Sequence, residues 1–189
     1  NKVRGQVKWL MIIDIDEFLF PVQCDNLHEF LRDYEEFGAV CANWVMFGTS
    51  HVNRIPKNKL MIETLILSHA KVYDAVKSII QPEKVKSFII HHAAEFYPPH
   101  FQVTADKIQF TRPGMPLGNI DKLRINHYWT GDNAFLHEIK IARRIKQLKH
   151  NTNVTLSEKE ILQWILDEAA TMNQQEDLTI QRYTNRLRN

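Results

Sequence analysis

The sequence predicts a mixed α/β domain that closes on helices, and three observations carry that prediction. An apolar run, a capped amphipathic helix and a second apolar run follow one another near the start, the order of a strand–helix–strand unit. β-Branched runs punctuated by proline and glycine fill the middle. From Asp132 onward the apolar residues recur at helical spacing.

The elements follow in chain order. Trp9 to Ile13, within KWLMIIDIDEFLF, reads as a buried strand. Asn26 with Glu29 three residues later is a capping-box signature, and Leu27, Phe30, Leu31, Tyr34 and Phe37 keep helical spacing up to Gly38. Ala39 to Phe47 contains no breaker and reads as the next strand, ending in FGTSH. Residues 52–58, with Pro56 and polar neighbours, read as loop. Leu60 to Leu67 is assigned as strand, although periodicity alone leaves helix open. Val76 to Ile80 and Val85 to Ile90 are strands around a turn at Gln81-Pro82-Glu83. Phe101 to Phe110 and Leu123 to Trp129 are two more around the loop RPGMPLGN. Asp132 caps a helix holding Phe135, Leu136, Ile139, Ala142 and Ile145, and Ser157 with Glu160 caps another holding Ile161, Ile165 and Ala169. No repeat or linker interrupts the chain, so one domain over 1–189 is expected, mixed α/β over 1–131 and helical over 132–189. Opening on Asn1, close to its first strand, the chain reads as a piece of a longer protein.

Composition narrows the class. The 189 residues, 44% hydrophobic and 10% aromatic, suffice for one sizeable core and are unlike disordered, collagenous or disulfide-scaffold chains. Twenty-four basic and 22 acidic residues leave a formal charge of +2, which argues against a nucleic-acid partner. Cys24 and Cys41 have no CxxC or zinc spacing. No apolar run approaches the ~18–20 residues that cross a bilayer, and no signal-peptide pattern opens the chain. Asn153-Val154-Thr155 is a glycosylation acceptor if the chain enters a secretory lumen.

The acids after the first apolar run raise the chemical question. In an extended strand end, residues two apart point to one side, so Asp14 and Asp16 would converge while Ile15 faces the core. Two close carboxylates repel unless a cation or proton lies between them. A divalent ion such as Mn²⁺ or Mg²⁺ held there keeps coordination sites for phosphate oxygens. Solvated acids just past a strand are the plain alternative. The carboxyl end of an apolar strand is where open α/β sheets bind ligands.

A haloacid dehalogenase-type phosphatase also places DxD after an apolar strand, with the first Asp as nucleophile. Phe18 stands where that pattern has a small or hydroxyl residue, and Leu136 where it has a second acid after Gly131-Asp132. The sequence as a whole instead resembles the family 92 glycosyltransferases and their bacterial family 2-like relatives. The matching pieces are WLMIIDIDEFLFP, NWVMFGTSH, PKNKLMIET, VKSIIQPEKV, the pair His91-His92, RINHYWT and EDLTIQRY, which together span nearly the whole chain. One departure is Ser50-His51, where relatives often place a glycine between the two. The resemblance implies a GT-A-like mixed sheet flanked by helices, with a nucleotide-binding half upstream of the DxD strand and absent from this chain. It also implies a metal-dependent transfer of sugar from a nucleotide-sugar donor to a glycan or glycoconjugate acceptor, with inversion at the anomeric carbon. A carbohydrate-binding or scaffold domain that kept the fold without turnover is the alternative of a different class. The compartment would be cytoplasmic or membrane-peripheral in a bacterium and the Golgi lumen in a eukaryote.

The same resemblance implies roles. Asp16 is the direct ligand of Mn²⁺ (or Mg²⁺), Asp14 bridges the donor ribose or a metal-bound water, and Glu17 supports them. His127 in RINHYWT is a further metal ligand, whereas on the residues alone it is a core or rim histidine; His91, at another strand end, is its rival for that role and a candidate donor-binding residue. Lys77 lies inside the apolar VKSII, so it either reaches the surface along its stem or meets an anion such as donor phosphate. Glu63, an isolated acid in LMIETLIL, is either a surface carboxylate on an amphipathic element or the first candidate for the base that takes the acceptor proton, its carboxyl pKa raised by its surroundings; Asp74 is the alternate. Trp44, Phe47, Gly48, Thr49, Ser50 and His51 form the candidate acceptor wall, since aromatic faces stack on sugars, hydroxyls bond them, and glycine allows close approach. The basic stretch 139–149, with Lys140, Arg143, Arg144, Lys146 and Lys149, is either a solvated helix face or a peripheral contact to anionic membrane.

Overall fold

The structure, a computed structural model, describes residues 3–89, 91–110, 118–150 and 155–188. In chain order its regular elements are β1 (Glu17–Pro21), α1 (Leu27–Arg32), β2 (Ala39–Met46), α2 (Met61–Thr64), β3 (Leu67–Ser68), β4 (Val76–Ile80), β5 (Val85–Phe88), β6 (Ala93–Phe96), β7 (Gln102–Thr104), β8 (Gln109–Phe110) and β9 (Leu123–His127). There follow α3 (Asn133–Phe135), a π-helical turn (Leu136–Lys140), α4 (Ile141–Lys149), α5 (Glu158–Thr171), β10 (Gln175–Glu176) and α6 (Thr184–Arg188). Most of the loop RPGMPLGN, Ile90 and the Asn153-Val154 part of the glycosylation acceptor lie outside the described residues. Among the described residues no helix is long and apolar enough to cross a membrane.

Mixed α/β architecture is borne out, but the chain divides differently from the expected break at 131/132. It forms two compact units, residues 1–45 with 71–127, and residues 46–70 with 128–189. Segment 46–70 joins the helical part because its backbone is paired there: the Gly48 N–H is shared by the Leu67 and Met172 carbonyls at 3.0 and 2.9 Å, and β3 pairs antiparallel with β10.

In the first unit a mixed sheet runs β1-β9-β2-β7-β8, with β4 also paired to β2. β1/β9, β2/β4 and β7/β8 are antiparallel and β2/β7 is parallel. β2 is central because AVCANWVM buries both faces, as a strand with neighbours on each side must. Leu31 and Tyr34 beside α1 pack on Val40, Ala42, Ile79, Val103, Leu123 and Ile125. The Asn26 cap forms as expected, its Oδ1 accepting the Glu29 N–H at 2.8 Å.

Three expectations for strands are corrected. Trp9 to Ile13 is not a strand: Leu10 alone bridges Ile80, and β1 begins only at Glu17. Trp9 and Met11 pack inward while Ile12 and Ile13 are half-exposed, since a single bridge fixes one residue and not a ladder. Leu60 to Leu67 is a helical turn, α2, followed by the short β3, because the Glu63 carboxylate accepts the Leu60 N–H at 2.9 Å and caps the turn. Phe101 to Phe110 breaks into the hairpin β7/β8 around Asp106 and Lys107, the latter at φ 61°.

In the second unit, Leu136, Ile141, Ile161, Ile165 and Ala169 form the core between α4 and α5. Asp132 caps α3 through the Phe135 N–H at 2.8 Å, and Ser157 and Glu160 form the expected reciprocal cap. The π turn adds a residue to one helical turn, which rotates the apolar stripe: Ile141 is buried, and Ile139, expected inward, is exposed.

Candidate active site

The DxD residues stand in a tight turn and not on an extended strand end, the Glu17 N–H closing it on the Asp14 carbonyl at 3.1 Å. This corrects the alternation: Ile15, expected to face the core, is 99% exposed. Asp14 and Asp16 are therefore placed by the turn, and the side chain that enters the protein is Glu17. In β1 the alternation E-F-L-F puts Glu17 on the face of Leu19, which packs on the core, and its side chain is closed to solvent.

Glu17 is the hub of the arrangement. Its Oε2 accepts the Asp14 N–H at 3.0 Å and lies 2.7 Å from Lys77 Nζ. Lys77 is 1% exposed, and its ammonium also lies 2.7 Å from Asp14 Oδ2. The surface-reaching alternative for Lys77 is thereby corrected, and the anions it meets here are two carboxylates of its own chain. Burial works against its charge, yet hydrogen bonds and charge from Asp14 and Glu17 outweigh it and hold the ammonium pKa above the ordinary lysine value.

His127 lies directly opposite Glu17 in the β1/β9 register. Its Nε2 is 3.7 Å from Asp16 Oδ1, and its Nδ1 is 3.9 Å from Glu17 Oε1. Trp44 sets its ring edge against His127, with centroids 4.7 Å apart, and against His91 at 5.5 Å. The backbone beside Trp44 is stitched to the segment carrying Asp74: the Trp44 N–H donates to the Ala75 carbonyl, and the Tyr73 N–H to the Trp44 carbonyl, each at 3.2 Å. Asp14, Asp16, Lys77, His91, His127, Trp44 and Asp74 thus all belong to the first unit.

Among the described residues no group of three or more His, Cys, Asp or Glu side chains is arranged to hold a metal ion, so the expected trio of Asp14, Asp16 and His127 is not assembled. Asp14 is turned onto Lys77. Asp16 and His127 are the pair that could share a divalent cation: at 3.7 Å they are too far apart for a hydrogen bond and stand somewhat wider than the roughly 3 Å between adjacent ligands of an octahedral ion at ~2.1 Å, so a small side-chain shift would be needed. One carboxylate and one imidazole leave the remaining positions to water and phosphate oxygens.

The other expected residues belong to the second unit. Phe47, expected as an acceptor wall, is fully buried and packs tilted against Tyr128, ring centroids 4.7 Å apart, so it has no face to offer a sugar. Gly48 is required by its own chain: a Cβ there would meet the Met172 carbonyl oxygen at 2.6 Å. Thr49 is also buried. Ser50 is half-buried and His51 exposed, and both lie in the left-handed region, at φ 51° and 59°. Glycine adopts that conformation without the steric cost that a side chain carries there. Ser50 Oγ accepts the Leu67 N–H at 2.8 Å, and the Ser50 N–H donates to Asn173 Oδ1 at 2.7 Å.

Glu63 departs from expectation in its charge state. Arg188 Nη2 lies 2.7 and 2.6 Å from its two oxygens, and this hydrogen-bonded pair, helped by the Leu60 N–H, lowers its pKa where a raised one was expected. The basic side chains of 139–149 are largely engaged within their unit: Lys149 pairs with Glu158, Arg144 lies over Trp164 and Lys140 over Trp129. Arg143 and Lys146 face solvent, the ordinary behaviour of a charged helix face.

A mixed sheet with acids, a histidine and a buried lysine gathered at the edge of β1 and β9 is consistent with a glycosyltransferase domain. The model of glycosyltransferase family 92 matches residues 1–189, the whole chain, and the chain belongs to that family. It is a glycosyltransferase, an enzyme that takes a sugar donor and a glycan acceptor. No curated protein matches it. The residue that sequence reasoning undervalued is Glu17, whose signal was its place on the inward face of EFLFP.

Proposed function

We propose that this glycosyltransferase uses a nucleotide-sugar donor and a divalent cation, Mn²⁺ or Mg²⁺, and transfers by direct displacement with inversion. The observation that carries the reading is the 3.7 Å approach of His127 Nε2 to Asp16 Oδ1. Asp16 and His127 would hold the ion, which when bound neutralises charge on the departing diphosphate. Asp14, kept in place by Lys77, would bond the donor ribose or a bound water, with His91 on the donor side and Trp44, edge-on to His91 and His127, on the acceptor side.

In the reaction an acceptor hydroxyl loses its proton to a carboxylate as its oxygen bonds the anomeric carbon, and the bond to the diphosphate oxygen breaks with its electron pair. Asp74 fits the base better than Glu63. It belongs to the same unit as Asp16 and His127 and is tethered beside Trp44, whereas Glu63 is bound to Arg188 and a weaker base for it.

Calorimetry with Mn²⁺ tests the reading. Wild type should bind, and Asp16→Ala and His127→Ala should each weaken binding at least tenfold, with sugar transfer lost in parallel. Equal binding by all three would remove this pair as the cation mount. Cation binding without transfer to any acceptor would favour the scaffold reading.

A further inference from the structure

We infer that Glu17 is a positioning residue that sets the tautomer of His127, and through it the availability of Nε2. Two observations independent of Asp16 lead there. Glu17 Oε1 and His127 Nδ1 are both buried, and neither has a hydrogen-bond partner among the described residues. They face each other at 3.9 Å on directly opposed residues of β1 and β9.

Buried polar atoms without partners are uncommon, and two of them facing across one strand pair satisfy each other by a small rotation of ring or carboxylate. The other oxygen leaves no freedom in the assignment. Oε2 already accepts from the Lys77 ammonium and the Asp14 N–H, both donors only. Oε1 is therefore a carboxylate acceptor turned to the imidazole. Asp16 Oδ1 competes from the Nε2 side at 3.7 Å but is partly open to water, which screens it. The fully closed Glu17 carboxylate acts unscreened and draws the proton of neutral His127 onto Nδ1. Nε2 is left with its lone pair toward Asp16. A histidine whose far nitrogen donates to a carboxylate is the usual arrangement behind a metal-binding imidazole.

The inference deepens the cation reading but is tested apart from it. In ring-nitrogen NMR spectra of the metal-free protein at about pH 8, above the ordinary imidazole range, His127 should carry its proton on Nδ1. Glu17→Gln should reverse this. The amide oxygen must stay on Lys77 and the Asp14 N–H, which turns the NH₂ group toward Nδ1 and moves the ring proton to Nε2. Glu17→Asp keeps the charge and should retain the wild-type tautomer. Mn²⁺ affinity should fall about 10- to 100-fold in Glu17→Gln and largely return in Glu17→Asp.

An Nε2–H tautomer in the wild type overturns the inference, and that measurement needs no variant to fold. An unchanged tautomer in a folded Glu17→Gln also overturns it. A tautomer that reverses as expected, in a protein that binds no Mn²⁺, leaves Glu17 as the positioning residue and overturns the cation reading alone.

Discussion

The Lys77 ammonium in β4 lies 2.7 Å from the Glu17 carboxylate at the start of β1, and both side chains are closed to solvent. Because the same ammonium also reaches Asp14, one cation holds both ends of the DxD turn. The turn is thereby an extension of the sheet's own packing.

Lys77→Met should destabilise the protein by about 3–5 kcal/mol, since it leaves the buried Glu17 charge without its partner. Urea unfolding measures this; a loss under about 1 kcal/mol would mean that water already screens the pair. The pH dependence has a defined sign. Lys77 has a raised pKa in the folded state, so its contribution is complete below the unfolded value of about 10.4 and is lost as pH rises through the folded value. The wild-type advantage over Lys77→Met should be level through neutral pH and shrink only in strong alkali.

Asp74→Asn should lose about 10²-fold or more in kcat with donor KM little changed, whereas Glu63→Gln should keep near-normal turnover. Transfer and donor hydrolysis, followed separately, distinguish loss of the base from loss of the acceptor site. The opposite pattern would return the base to Glu63.

Glu63 has its own stability signature. Its pKa is lowered by Arg188, so its contribution is present above the unfolded carboxyl value of about 4.3 and disappears as pH falls through the folded one. The stability difference between wild type and Glu63→Gln should be constant near neutrality and vanish in acid.

His51→Gly should raise stability by about 0.5–1 kcal/mol: relief of left-handed strain, ~1–2 kcal/mol, less the entropy cost of glycine, ~0.5–1. His51 stands at φ 59°, and thermal unfolding of the variant beside the wild type is the check. A destabilised variant would show that the imidazole makes contacts that outweigh the strain.

Gly48→Ala should cost about 1–3 kcal/mol by overpacking, because its Cβ would press on the Met172 backbone carbonyl at 2.6 Å, which a side-chain rotation cannot relieve. Wild-type stability in that variant would mean that the backbone segments at Gly48 and Met172 separate readily.

Local chemistry was legible along the chain wherever the energy lies within a few neighbouring residues. The Asn26 and Ser157 caps, the helical stripe of Ile161, Ile165 and Ala169, and the unbroken β2 all follow from spacing and side-chain type. The family motifs held the class of enzyme for the same reason, since each is a contiguous string.

Tertiary structure decided the rest. Trp9 to Ile13 has strand composition, but ladder formation depends on a neighbouring strand, and only Leu10 finds one in Ile80. Glu63 has the surroundings of an acid with a raised pKa until Arg188, 125 residues away, closes on it. Phe47 and Thr49 have the residue types of a sugar-binding wall, yet burial removes them from any ligand. Glu17 was a bystander in the string DIDEF and becomes its centre because strand register sets it opposite His127 and a buried lysine reaches it from β4. Charge and burial at a site depend on which distant side chains arrive, and residue order alone does not specify that.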